Sequence, residues 1–257
     1  LSGFGYSLSM HRILAEEIHT RRLPSSFSKE RTAGIACIEL FDPAYSRMVC
    51  GLGLPVLFID SPAICLDGPP EADCLYMDNQ TGIYQFVQEM VHRGKKNIGF
   101  IGEYMHCQSF YERYTAYRNA AHFHGIPCLD QYCILDNKAG ALRPSYEDYK
   151  DHLEARIKKI PSLPDVFICA NDFVAIDTMQ VLKKLGYSIP GDVYLCGFDD
   201  SPESKITTPS LTTIHIHSQI MGYSAVQLLV SRIREPSLNF RTMHTESSLI
   251  YRESTEG

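Results

Sequence analysis

The sequence predicts an α/β protein of two doubly wound lobes, each a parallel sheet covered by helices. Three observations carry that reading. From Ile35 to Ile250, short apolar runs alternate with amphipathic stretches of helical period. That alternation implies strand–helix–strand crossovers and sheets buried on both faces. The runs outnumber the strands of one small sheet, and 257 residues suffice for two linked units.

The elements follow in order. Ile35–Ile38 is a short apolar run, and Pro55-Val-Leu-Phe-Ile-Asp60 reads as a buried strand ending in an acid. A helix opens at Asp78-Asn-Gln-Thr-Gly. Its Ile83, Phe86, Val87, Met90 and Val91 form one apolar stripe, Asp78 or Asn79 can cap it, and Gly94 can close it. Asn97–Gly102 is the next strand, and Ser109 to His124 the next helix, ending at Gly125-Ile-Pro127. Tyr132–Leu135 reads as a strand and Ser145 to Ile160 as a helix, stopped by Pro161 and Pro164. Asp165–Ala170 is a strand. The helix after it carries Lys183 and Lys184 in its last turn, where cations favour the helix dipole, and is followed by Gly186 and Pro190. Asp192–Phe198 is a strand, His217 to Ile233 a helix and Thr245 to Tyr251 a final strand.

Composition excludes several function classes. With 44% hydrophobic and 21% charged residues the chain buries a large core and is neither disordered nor low-complexity. Lys plus Arg number 24 and Asp plus Glu 30, a net charge of -6, so the chain has no bulk attraction for DNA phosphates or acidic lipid. No apolar run approaches the ~20 residues of a membrane span. The opening residues show no signal peptide. Nine cysteines, an odd number with no CxxC pair, favour a reduced, cytoplasmic protein.

Ligands of such folds bind past the C-terminal ends of strands. Beyond Ile101 stand Ser109 and Arg113, beyond Ala170 stand Asn171 and Asp172, and beyond Phe198 stand Asp199 and Asp200. An arginine fork, an amide and a carboxylate suit a neutral polyhydroxy ligand, whose hydroxyls both donate and accept. Tyr146 and Tyr149 can offer an aromatic face to a sugar, or can be half-buried helix residues. Asp172 is expected to cap the helix that follows, which leaves Asn171 for the ligand. Arg113 reads equally as a surface partner of Glu112. Gly51-Leu-Gly53 and Gly99-Phe-Ile-Gly102 lack a dinucleotide or phosphate-loop fingerprint, so no cofactor is expected. His215-Ile-His217 has no companion ligands for a metal, and Ser109 lacks a nucleophile elbow, so neither a metal site nor an enzyme is expected.

Together these motifs resemble the effector-binding core of the LacI/GalR family. The residues concerned are Leu163 to Ile176, Gly186-Tyr-Ser-Ile-Pro190, Gly197-Phe-Asp-Asp200, Pro209-Ser-Leu-Thr-Thr-Ile214, Met221-Gly222 and Arg252-Glu-Ser-Thr255. Upstream, Leu54 to Asp60, Asp78-Asn79, Arg93 to Ile101 and Ser109-Phe-Tyr-Glu-Arg113 fit the same pattern. The resemblance spans nearly the whole chain in order. It implies a periplasmic-binding-protein-like type I core, two α/β lobes joined by three crossings with an effector in the cleft. The lobes are expected at 1–104 plus 216–238 and at 105–215 plus 239–257. The crossings are expected near Glu103–His106, Ile214–His217 and Pro236–Arg241.

By the same resemblance Arg113, Asn171 and Asp199 contact the effector, with Ser109 and Tyr146 as further carry-overs. The family begins with a helix-turn-helix headpiece and a first strand and helix. Gly5-Tyr-Ser-Leu8 resembles the second strand, so the headpiece lies outside this chain. The implied protein is a homodimeric, sugar-responsive transcription regulator whose effector changes its affinity for operator DNA. Part of Pro43–Gly51 or His217–Ile233 is expected to build the dimer face. The rival reading is an extracytoplasmic sugar-binding protein of a transport system, against which nine cysteines speak.

Overall fold

The computed structural model describes residues 2–64, 68–136 and 146–256. The chain divides into two compact units, one of residues 1–77, 106–109 and 217–245, the other of residues 78–105, 110–216 and 246–257.

The first unit is built on a parallel sheet of order β1-β2-β3-β8: β1 Ile35–Ile38, β2 Val56–Ile59, β3 Asp73–Met77 and β8 Thr242–Thr245. Helix α1 spans Ala15–Thr20 and α2 spans Pro43–Cys50. Asp42 caps α2 through the Tyr45 N–H at 2.7 Å, and Pro43 occupies a first-turn position where its missing N–H costs nothing. Tyr45, Val49, Val56, Phe58 and Tyr76 pack between sheet and helix. Each large apolar side chain so buried contributes about 1.5–3 kcal/mol. The long α8, Ser218–Arg234, packs on β1, β2 and β3. Asp73 opens β3 fully buried, and Arg232 of α8 and Arg241 both donate to its carboxylate. That ion cluster ties the returning strand β8 to β3.

The second unit holds β4 Ile98–Ile101, β5 Val166–Cys169 and β6 Tyr194–Cys196 in a parallel sheet of that order. Single bridges extend it, Ile101 to Ile134 on one side and Cys196 to Thr212 on the other. Beyond lies an antiparallel pair, β7 Thr213–Ile216 with β9 Ser247–Ile250. The helices are α3 Thr81–His92, α4 Gln108–Phe123, α5 Tyr146–Ile157, α6 Asp172–Lys184 and the short α7 Pro202–Ile206. Leu153, Phe167, Met179, Leu182, Leu195 and Leu211 lie at the centre of its core.

The α/β class and most elements follow the sequence expectation; two stretches lie in the other unit from the one expected. Strand β4 pairs with β5, so residues 78–104 belong to the second unit rather than the first. Strand β8 pairs with β3, so residues 239–245 belong to the first unit. The chain passes between units after Met77, Met105, Ser109, Ile216 and Thr245; the passages after Met105 and Ile216 fall within the expected Glu103–His106 and Ile214–His217, and none falls within Pro236–Arg241. Tyr132–Leu135 forms no strand: a 3-10 turn, Asp130–Tyr132, leads to the single bridge at Ile134. Residues 5–8 form no strand either. Strand β3 went unread because a buried strand that opens on an aspartate looks like a loop until its two arginines are found.

Candidate functional site

Arg113 is the centre of the site and lies in the second unit. On α4 it is in phase with Ala116, Tyr117, Ala120 and Ala121, all fully buried, so the helix carries its guanidinium inward with the apolar stripe. The side chain is 2% exposed. A buried charge requires partners on every side. Nε donates to the Asn79 Oδ1 at 2.9 Å, and Nη1 donates to the Ala170 carbonyl at 2.7 Å. Nη2 stands 3.4 Å from the Asp199 carboxylate. The guanidinium lies over the Phe198 ring, 3.5 Å from its centre.

Asp199 follows β6, and its backbone takes a left-handed φ of 111°. Its N–H donates to the Ile214 carbonyl at 2.8 Å. Its side chain stays 31% exposed, so the carboxylate can meet both Arg113 and solvent. Asp200 is also left-handed, with φ 55°, and its carboxylate turns away to Arg252, to Lys205 at 3.2 Å and to the His215 Nδ1 at 2.9 Å. Burial opposes the charge on Asp200, but these partners outweigh it and hold the carboxyl below its usual range.

The cap expected of Asp172 is taken by Asn171. Asn171 is the N-cap of α6, its Oδ1 accepting from the Val174 N–H at 2.9 Å. That leaves its Nδ2 to donate elsewhere. Asp172 is fully buried and accepts from the Thr213 hydroxyl at 2.6 Å and the Ser201 N–H at 2.7 Å. Burial raises its carboxyl above the usual range against these two bonds, and the nearby Asp200 charge adds to the rise.

Arg113 and Asp199 thus meet directly, and Asn171 follows the carbonyl that Arg113 holds. Ser109 falls in the first unit, where its hydroxyl lies 3.2 Å from the Met77 sulfur and its N–H donates to Asp60. Tyr146 opens α5, and its side chain lies outside the described residues. Tyr149 packs against the core rather than standing as a platform. Sequence reasoning missed Asn79. Gln80 holds the N-cap position of α3 without a side-chain cap bond, and the Asp78 carboxylate before it accepts from the N–H groups of Gln80 and Thr81. Asn79 is thereby released to link Arg113 with Glu112, to which its Nδ2 donates at 2.8 Å. The signal was present in the pair Asp78-Asn79, because one helix start needs only one such cap. Among the described residues no group of three metal-ligating side chains gathers, and His215 spends Nδ1 on Asp200.

Comparison with known proteins gives the family. Residues 87–255 match the family described as periplasmic binding protein-like domain. The chain belongs to that family. The GalR transcriptional regulator of Lacticaseibacillus casei is 27% identical over 240 residues, covering 93% of this chain and 71% of that protein. The PurR repressor of Mannheimia succiniciproducens is 23% identical over 256 residues, covering 98% of this chain and 73% of that protein. A solved complex of the transcriptional regulator CelR with cellobiose superposes with a TM-score of 0.75 at 23% identity, over 88% of this chain and 67% of that one. These relatives bear out the LacI/GalR resemblance of the sequence and the periplasmic-binding-protein-like fold. They are transcription regulators rather than enzymes or transport proteins. No helix among the described residues is long and apolar enough to cross a membrane.

Proposed function

We propose that this chain is the effector-binding core of a sugar-responsive transcription regulator. In this reading Arg113, Asn171 and Asp199 hold the effector, and its binding changes operator affinity. The observation that carries the reading is the setting of Arg113: a buried, fully braced guanidinium beside a half-exposed carboxylate. The charge of Arg113 is already balanced by Asp199, and Glu112 stands one partner away through Asn79. A phosphate would meet a neutral to acidic surrounding, whereas a hydroxyl finds a donor fork and an acceptor together. The effector is therefore a neutral sugar or close derivative. The CelR complex, whose bound sugar is cellobiose, supports that class.

The wider assignment follows the family. The protein acts as a homodimer in the cytoplasm, reaches operator DNA through a helix-turn-helix headpiece and performs no catalysis. For the dimer face, α8 suits better than α2. Ile220 and Tyr223 of α8 are 57% and 67% exposed, while α2 turns Tyr45 and Val49 into the core. An effector shifts the regulator only by binding one conformation better than another.

Titration calorimetry against a panel of neutral mono- and disaccharides and their phosphates tests the reading. A neutral sugar is expected to bind, and Arg113→Ala and Asp199→Ala each to weaken it by about 1.5–3 kcal/mol, the worth of a hydrogen bond to a charged group. Unchanged affinity in both variants would remove these residues from the site. Binding of phosphorylated sugars alone would overturn the neutral class.

A further inference from the structure

We propose that Asp172 is a positioning residue for the candidate site, a latch that holds the Asp199–Asp200 elbow in its left-handed form and so aims the Asp199 carboxylate at Arg113. Consecutive non-glycine residues with φ of 111° and 55° are strained, and such a turn persists only where its surroundings over-determine it. Asp172 brackets this turn on both sides. Its N–H donates to the Phe198 carbonyl at 2.8 Å, just before the elbow. Its Oδ2 accepts the Ser201 N–H at 2.7 Å, just after it. Its Oδ1 accepts from the Thr213 hydroxyl at 2.6 Å, and the same Thr213 oxygen accepts the Asp200 N–H at 3.3 Å.

The fit is close. A Cβ added at Gly197 would lie 2.2 Å from the Asp172 Oδ1, so only a glycine before Phe198 lets the carboxylate reach across the turn. The Asp200 carboxylate, paired with Arg252, Lys205 and His215, anchors the far side and keeps Asp200 from competing for Arg113. Asp199 is left as the one acid of the elbow that faces the guanidinium. The latch takes its purpose from the effector reading, but it can be measured without any effector.

The test is proton exchange at the Arg113 Nη groups, followed by nitrogen-15 NMR in the ligand-free chain. Asp199→Asn gives the rate expected when the pair is lost directly. Thr213→Val, which keeps the side-chain shape and removes the relay hydroxyl, and Asp172→Ala should each speed exchange roughly five- to tenfold, as loss of one ordinary hydrogen bond implies. Thr213→Ser retains the hydroxyl and should restore the wild-type rate. Asp172→Leu keeps roughly the volume, removes both acceptor oxygens and stands in for the alanine variant if that one does not fold. Wild-type exchange in Thr213→Val and in the Asp172 variant that folds, both with native-like melting, would overturn the latch. An intact latch in a protein that binds no sugar would instead sink the effector reading.

Discussion

Replacing Asn79 by alanine tests the centre of the site through a residue that carries no charge. Asn79 is 1% exposed, and its amide joins two ionic side chains, accepting from the Arg113 Nε at 2.9 Å and donating to Glu112 at 2.8 Å. Alanine removes both bonds and leaves Nε of a guanidinium that is itself 2% exposed without its acceptor. A buried charged donor left unmatched costs about 1.5–3 kcal/mol. Glu112 is only half-buried, so water replaces its lost donor and adds less than about 1 kcal/mol. The expected total is about 1.5–4 kcal/mol of stability in the second unit.

Urea unfolding followed by circular dichroism, with amide exchange along α4 and β4, reads that loss where it arises. Local exchange matters because two units need not unfold together. Fast exchange should be confined to the second unit. A loss below about 1 kcal/mol would show that Arg113 finds another acceptor at once, and that the bracing argued for its guanidinium is wrong.

Other sites give independent outcomes. Asp73→Ala should destabilise the first unit by about 3–5 kcal/mol, since Arg232 stays buried with its charge uncompensated; equilibrium unfolding that leaves β8 as protected as in the wild type would refute the cluster's role. Burial opposes the charge on Asp73, yet Arg232 and Arg241 hold its carboxyl below the usual range, so its folded value lies under the unfolded one. Its stabilisation is therefore present above about pH 4 and fades as pH falls through the lower folded value, which an acid titration of wild type against Asp73→Asn reads directly. Gly197→Ala should cost about 1–3 kcal/mol, because the new Cβ meets the Asp172 carboxylate and Leu211; a neutral melting shift would contradict the close approach. Cys37 and Cys74 are buried, their thiols pushed up to about 12 and about 11 by desolvation, and burial also raises the thiol of the half-buried Cys50, so Ellman's reagent near pH 8 should find the half-buried Cys128 first among the described cysteines.

The division between what the sequence showed and what it hid follows from range. Local signals were legible: the apolar stripe of α3, the lysines and glycine that close α6, the four-residue apolar runs that became β1, β2, β4 and β5. Each depends on residues within a few positions, and helical or strand period reports them faithfully. Strand pairing was not legible, because β4 looks the same whether it lies beside β3 or β5; residues 78–104 were expected in the other unit for that reason. Charge burial was hidden likewise. Asp73 in β3 and Arg113 in α4 interrupt apolar faces, and each becomes intelligible only with partners from distant segments: Arg232 and Arg241 for one, Asn79, Ala170 and Asp199 for the other. Arg113 carried a usable clue, since it shares the phase of Ala116, Tyr117 and Ala120, and an arginine in a buried stripe is tolerated only with a full set of partners. The cap expected of Asp172 but taken by Asn171 teaches the same point at one helix start. Either residue can cap, and the choice is made by Thr213 and Ser201, which claim the second carboxylate and leave the amide to close the helix.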